Sequence, residues 1–287
     1  MTAYRPDPEA KLAPGLYVVS TPIGNLKDIT LRALEVLKGV DLVLAEDTRV
    51  AAKLLAAYGV SKKVERYDDH AGERARPKIL AALADGARIA LTSDAGTPLV
   101  SDPGYRLLVE AVEAGAAVIP VPGASAPLAA LAVSGLPTDR FLFAGFLPPK
   151  SGTRKAALAE LAAVRSTLIF FESGPRLAES LADMAEVLGP RPAVVAREIT
   201  KLYETFVRGD LAALAADPRC AAPKGEIVVV VGPGAETAAR PEDADAALRE
   251  ALARLSPSDA AAEVARGLGL PRKALYKRAV AIKAEQS

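Results

Sequence analysis

Short apolar runs alternate with amphipathic stretches along the first half of the chain. Residues 16–20, 41–45, 87–91 and 117–121 read as strands, and residues 62–66 as a weaker one. Between them, residues 31–38, stretches ending at Tyr58 and near Asp85, residues 105–114 and residues 126–134 read as helices. Thr30 can cap the first helix, and Gly39, Gly59, Asp85-Gly86 and Gly115 are stop signals. Strand and helix alternate five times, which predicts an open, mostly parallel sheet with helices on both faces.

The connections sort by edge. After the helices come plain glycine stops. After the strands come Thr21-Pro22-Ile23-Gly24-Asn25, Glu46-Asp47-Thr48-Arg49, Tyr67-Asp68-Asp69-His70-Ala71-Gly72, residues 93–104 and Pro122-Gly123-Ala124-Ser125-Ala126. In a parallel sheet these five lie on the carboxyl edge, where ligands bind. The fourth is long for a connector and holds two Gly, two Pro and two Asp, which fix backbone angles and set acceptors beside free N–H groups. This segregation of loaded loops places a ligand site at that edge.

Gly135-Leu136-Pro137-Thr138 marks a boundary. Beyond it, residues 141–146, 167–171, 193–196, 204–208 and 227–231 read as strands, and residues 150–164 and a stretch ending at Leu188 as helices. The β-branched run 227–231 predicts a central strand, in a sheet expected to be mixed. Residues 233–241 read as a linker before an Ala-rich helical end. The expected organisation is residues 1–136 as a parallel α/β domain, 137–234 as a second α/β domain with a mixed sheet, and 235–287 as a helical segment.

Composition narrows the chemistry. Lys and Arg number 36 against 35 Asp and Glu, so any nucleic-acid surface is local. A single cysteine, Cys220, excludes an internal disulfide and a cysteine zinc cluster, and a single histidine, His70, excludes a His-rich metal site. Residues 1–14 lack the apolar core of a signal peptide and no apolar run reaches membrane-spanning length. A cytoplasmic protein without a membrane partner or bound metal is expected.

The carboxyl-edge loops offer Glu46, Asp47, Asp68, Asp69, Asp94 and Asp102, with Arg49 and no lysine. Neither a dinucleotide fingerprint nor a phosphate-binding P-loop is present, which argues against a pyrophosphate cofactor. Acidic side chains beside Gly/Pro backbone suit a ligand carrying an amino group, a ribose and positive charge.

Seven ordered strings resemble the ribosomal RNA small subunit methyltransferase I family. They are Thr21-Pro22-Ile23-Gly24-Asn25-Leu26, Glu46-Asp47-Thr48-Arg49, residues 93–104, residues 140–148, Phe171-Glu172-Ser173, Ala196-Arg197-Glu198-Ile199-Thr200-Lys201 and Lys224-Gly225-Glu226. The resemblance runs from about Gly15 to Val231 and extends to the helical tail. Ser20, where proline is common, and the Tyr67-Asp68-Asp69-His70 string, in place of a His-Asp-His type, depart from the family pattern.

The resemblance implies a tetrapyrrole-methylase-like fold: two α/β domains with a cofactor cleft between them, plus a small C-terminal helical segment. It implies S-adenosylmethionine, which has all three ligand features above, and 2′-O-methylation of a cytidine in the decoding centre of 16S rRNA, cytidine 1402, by a homodimer acting on the small ribosomal subunit. It implies that Asp94, Ala95, Gly96, Ser125 and Ala126 contact the cofactor, that Pro22 and Gly24 shape the opposite wall, and that Phe171, Ser173, Ala196, Arg197, Gly225 and Glu226 close the cleft.

A general base is open among Asp47, Glu172, Glu204 and Lys201, the last only if burial lowers its pKa. Helix-capping roles compete for Asp47 and Glu172. His70 reads as a loop hydrogen-bonder, and Cys220 carries no chemistry. Residues 257–283 have a helix-turn-helix look, and from Val264 to Lys283 the charges are Arg266, Arg272, Lys273, Lys277, Arg278 and Lys283, with no acid among them. That stripe, with Lys150, Arg154 and Lys155 as a second cluster, reads as phosphate-contacting. Two rival functions remain: a methylase of a corrin or other tetrapyrrole precursor, and a non-catalytic RNA-binding factor that keeps a cofactor-like cleft.

Overall fold

A computed structural model describes residues 12–234, 241–268 and 270–285, with only the backbone described at 69–71 and 241–243. The chain forms two compact units, Met1–Pro233 and Gly234–Ser287.

The first unit holds two five-stranded sheets. Strands β1 (Gly15–Val19), β2 (Leu42–Ala45), β3 (Val64–Arg66), β4 (Arg88–Thr92) and β5 (Val118–Val121) pair in the order β3-β2-β4-β1-β5, all parallel. Helices α1 (Leu31–Gly39), α2 (Thr48–Ala57), α3 (Asp69–Ala84), α4 (Tyr105–Glu113) and α5 (Ala126–Ser134) follow the five strands in turn. Thr30 caps α1 as expected, its hydroxyl accepting from the Ala33 N–H at 3.1 Å. The third connection departs from expectation. Asp69-His70-Ala71-Gly72 is the first turn of α3 rather than a loop, closed by the Gly72 N–H on the Asp68 carbonyl at 2.7 Å. The side chain of His70, expected to be a loop hydrogen-bonder, lies outside the described residues.

The second sheet is mixed. Strands β6 (Phe141–Phe146), β7 (Thr167–Ser173), β8 (Pro192–Arg197), β9 (Thr205–Asp210) and β10 (Glu226–Val231) pair in the order β6-β7-β10-β8-β9, with only β6–β7 parallel. The central place of β10 follows from its Ile-Val run, which is buried on both faces. Ile227, Val229 and Val231 join the core beneath helices α6 (Ser151–Leu161) and α7 (Leu177–Leu188), where Cys220 is also buried. Val228 and Val230 face the other way and pack with Ala130 and Leu131 of α5 and with Ile23 from the loop after β1. This second cluster binds the mixed sheet to the carboxyl edge of the parallel one. Helix α8 (Leu211–Ala216), capped by Asp210, was not expected from the sequence.

The second unit is a three-helix cluster of α9 (Pro241–Leu252), α10 (Pro257–Leu268) and α11 (Arg272–Glu285) around Leu248, Ala260, Val264, Leu275, Ala279 and Ile282. Most of the expected linker lies outside the described residues. Among the described residues, no helix is long and apolar enough to cross a membrane.

Candidate functional site

A cavity of about 350 Å³ opens where the two sheets of the first unit meet. The parallel sheet contributes Ile23 after β1, Ala95, Gly96, Thr97, Val100, Ser101 and Asp102 after β4, and Ser125, Ala126 and Pro127 at the start of α5. The mixed sheet contributes Phe146, Phe171, Glu172, Ser173, Ile199 and residues 225–228.

The backbone around it is under constraint. Among the described residues, every non-glycine with positive φ lies in one of two loops: Leu99 (74°) and Ser101 (67°) after β4, and Glu198 (51°) and Thr200 (69°) after β8. Such conformations persist where the surroundings over-determine them, and they cluster at ligand sites. The pair at 198 and 200 flanks Ile199, which lines the cavity. Gly96, at φ 81°, forms a two-way bridge with Thr21: Thr21 N–H to Gly96 O at 2.8 Å and Gly96 N–H to Thr21 O at 3.1 Å. The bridge ties the loops of β1 and β4 into one wall.

Asp102 is the carboxylate of the long loop that reaches the cavity. Burial pushes its pKa up; the Ser93 hydroxyl pulls it down, and the Asp94 charge adds to the rise. The folded state therefore holds the Asp102 proton more tightly than the unfolded chain does. Its contribution to stability is fully present below the unfolded pKa and is lost as pH rises through the folded one. Asp102→Asn is expected to raise the melting temperature at pH 7 and to leave it unchanged near pH 3, as read by thermal melts at both pH values. Equal effects at the two pH values would show that desolvation of the charge is not the cause.

Of the sequence-based site residues, Ala95, Gly96, Ser125, Ala126, Phe171, Glu172, Ser173, Gly225 and Glu226 line the cavity. Others stand elsewhere. Ala196 is fully buried in the core, and Pro22 is buried beside Ile23. Gly24 sits against the Lys201 stem, so a Cβ there would collide with it. Asp94 accepts from the Asp47 N–H at 3.1 Å, linking the second loop to the fourth without bringing Asp47 to the cavity. Arg197 lines a separate recess with Phe206 and Arg219.

The candidate bases are mostly engaged. Asp47 caps α2 through the Arg49 N–H at 2.8 Å and pairs with the Arg49 guanidinium, which holds its pKa far below the usual carboxylate range. Lys201 requires correction. Its desolvation is outweighed by Glu226 at 2.8 Å and Glu198 at 2.9 Å, so its pKa moves up, the wrong direction for a base. Buried Glu172 accepts from the Ser180 hydroxyl at 2.5 Å and the Ser173 N–H at 2.8 Å. Glu204 accepts from the Thr200 N–H at 2.6 Å and braces the strained loop. Thr97, Val100, Ser101, Phe146, Ile199 and Ile227 were not singled out as site residues. The positive φ values at 99, 101, 198 and 200 have no glycine to signal them.

The basic clusters also need correction. Arg154 is 1% exposed and pairs with Asp183 at 2.6 Å, so it cannot meet a phosphate. Lys155 is engaged by Glu186 at 2.6 Å and Asp183 at 3.6 Å. Lys150 is exposed. In the second unit, Arg278 donates to Asp245 of α9 at 2.7 Å, an acid outside the all-basic stretch. Arg272 donates to the Ser258 hydroxyl at 3.2 Å, and exposed Arg266 to the Ala262 carbonyl at 3.3 Å. Lys273 and Lys277 are exposed and make no ion pair among the described residues.

A parallel sheet whose carboxyl edge meets a mixed sheet across a cavity is the tetrapyrrole methylase architecture, and residues 15–215 match the family Tetrapyrrole (Corrin/Porphyrin) Methylases. Solved structures share the fold: diphthine synthase at TM-score 0.60 and 18% identity, over 76% of this chain and 89% of that one, and the methyltransferase CobJ at 0.57 and 20%, over 77% and 95%. Residues 238–283 match the RsmI C-terminal HTH domain. The chain belongs to the ribosomal RNA small subunit methyltransferase I family. It is 54% identical to Ribosomal RNA small subunit methyltransferase I of Mesorhizobium japonicum over 96% of this chain and 95% of that one. It is 46% identical to the protein of that name from Escherichia coli O157:H7, over 92% and 94%.

Proposed function

We propose that the protein transfers a methyl group from S-adenosylmethionine to the ribose 2′-oxygen of a cytidine in the decoding centre of 16S rRNA. The observation that carries this reading is the cavity walled by Gly96, Ser125 and Gly225, in a chain whose relatives bear the name of that rRNA methyltransferase. A volume near 350 Å³ suits a cofactor of that size. The glycine walls let backbone approach it closely. S-adenosylmethionine supplies an electrophilic methyl on a sulfonium. The chain supplies position: the Thr21–Gly96 bridge and the start of α5 form one wall, and Phe171, Ser173, Gly225 and Glu226 the other. The Asp102 and Glu226 carboxylates at the cavity favour a cationic ligand.

Asp102 is the best placed proton acceptor for the ribose hydroxyl. It reaches the cavity, and burial raises its basicity. Asp102→Asn is therefore expected to lower kcat by about 100-fold or more while the protein grows more stable at pH 7. Incubating the protein with unmethylated small ribosomal subunits and labelled S-adenosylmethionine, then digesting the RNA to nucleosides for mass spectrometry, tests the whole reading. 2′-O-methylcytidine is the expected product. A base-methylated nucleoside, or no transfer, would refute it.

The helix-turn-helix unit supports a nucleic-acid substrate over a macrocycle. Lys273 and Lys277, with Arg272 and Arg266, are its phosphate contacts. Changing Lys273 and Lys277 together to Gln is expected to weaken RNA binding and flatten the slope of log affinity against log salt by about 2. Affinity for S-adenosylmethionine stays constant. Arg278→Gln removes the pair with Asp245 instead and is expected to lower the stability of this unit more than its RNA affinity. Binding at two salt concentrations, with a thermal melt of each variant, separates the two effects.

A further inference from the structure

Phe146 is 59% exposed yet borders the cavity. Its position results from a distortion of β6. In a regular strand, Phe143 and Phe146 would point to opposite faces, because side chains alternate with period two. The β6–β7 register shifts between them, and Gly145 takes φ 64°. The bulge brings both rings against one partner: Phe143 meets Phe171 edge-on at 4.9 Å between centroids, and Phe146 meets it tilted by 53° at 5.3 Å. Bulges are over-represented at sheet edges and next to active sites, where they re-aim a side chain, and β6 is both the edge strand of its sheet and a neighbour of the cavity. Gly145 lies beside Ser101, one of the two strained residues of the long loop; a Cβ on Gly145 would lie 3.4 Å from the Ser101 hydroxyl oxygen. An aromatic ring is thus braced on one side by another ring and left open on the rim of the cavity.

We propose that Phe146 is the stacking platform for the nucleobase of the nucleotide being methylated. This rests on the RNA-methylating reading above. A ribose oxygen that reacts inside the cavity carries its base a few ångströms away, at the rim, and Phe146 with Phe171 is the aromatic surface there. Stacking holds the base out of its RNA context without depending on its identity. Phe146 is accordingly a specificity-determining residue for an unstacked base, acting through the substrate and not through the methyl donor.

The test uses the full-length protein, unmethylated small ribosomal subunits as substrate, and Phe146→Ala, Phe146→Leu, Phe146→Tyr and Phe146→Trp. Ala and Leu are expected to raise KM for the subunits about tenfold. Tyr and Trp are expected to stay within about twofold of the parent. KM for S-adenosylmethionine and the melting temperature should hold throughout. Since the chain contains no tryptophan, Phe146→Trp also provides a lone indole, whose emission can be excited apart from the tyrosines, and naked 16S rRNA should quench it saturably. A Leu variant as good as the parent, an Ala variant that loses donor and RNA affinity equally, or an Ala variant that converts a dimer to monomers would overturn the platform and leave the methyltransferase reading standing. Failure of the unaltered protein to methylate RNA would remove that reading itself.

Discussion

Arg154→Ala is expected to destabilise the first unit by about 3–5 kcal/mol, the loss typical of breaking a buried ion pair. The guanidinium is 1% exposed, donates to Asp183 Oδ2 at 2.6 Å and also donates to the Pro149 carbonyl at 3.1 Å. The Ser151 hydroxyl donates to the second Asp183 oxygen at 3.0 Å. Removing the arginine leaves a nearly buried carboxylate with only the more distant Lys155 ammonium, at 3.6 Å, as its cation, and a hole between α6 and α7. Against a typical total of about 5–15 kcal/mol, that loss is large. Urea midpoints measure it. Arg154→Lys should recover only part of the loss, because an ammonium lacks the planar fork that reaches several acceptors at once. Lys150→Gln, at an exposed position of the same segment, should be nearly neutral. A drop in RNA affinity at unchanged stability would instead make Arg154 a nucleic-acid contact.

Gly96→Val is expected to cut S-adenosylmethionine affinity and methyl transfer by about 100-fold or more while the protein remains folded. At φ 81° a β-branched residue is strained, at a cost of about 1–3 kcal/mol. A Cβ there would lie 3.3 Å from Ile23 Cγ2 and 3.8 Å from the Ala124 carbonyl, on the cavity wall. Backbone strain and lost space are separable with a control. Gly115 has φ 75° but nothing within 4 Å of its Cβ position. Gly115→Val should therefore lower the melting temperature comparably and leave donor binding intact. Calorimetric titration with thermal melts of both variants decides the matter. Normal donor binding by Gly96→Val would reduce Gly96 to a turn residue.

The sequence by itself determined what short-range codes can carry. Helix stops at Gly59 and Gly115, the Thr30 cap, and the alternation of apolar runs were enough for the five parallel strands, while Gly39 itself forms the last residue of α1. The unbroken Ile-Val run alone placed β10 at the centre of the mixed sheet. The loaded loops at the strand ends pointed to the carboxyl edge, and Gly96 and Ser125, which the family resemblance singled out there, line the cavity. The helix-turn-helix pattern of the tail was legible too.

Tertiary structure alone decided which loaded residues converge. Glu46-Asp47-Thr48-Arg49 has the composition of a site loop, yet it follows β2, one strand farther from the β4–β1 junction, and serves as a cap. Arg154 and Arg278 look like free cations because their partners, Asp183 and Asp245, lie 29 and 33 positions away and meet them only when helices pack. The aim of Phe146 depends on a register shift against β7, and that of Ile199 on strain that no glycine signals. Turns and caps act within a few residues; charge pairing and ring stacking act through space, and only the folded chain brings those partners together.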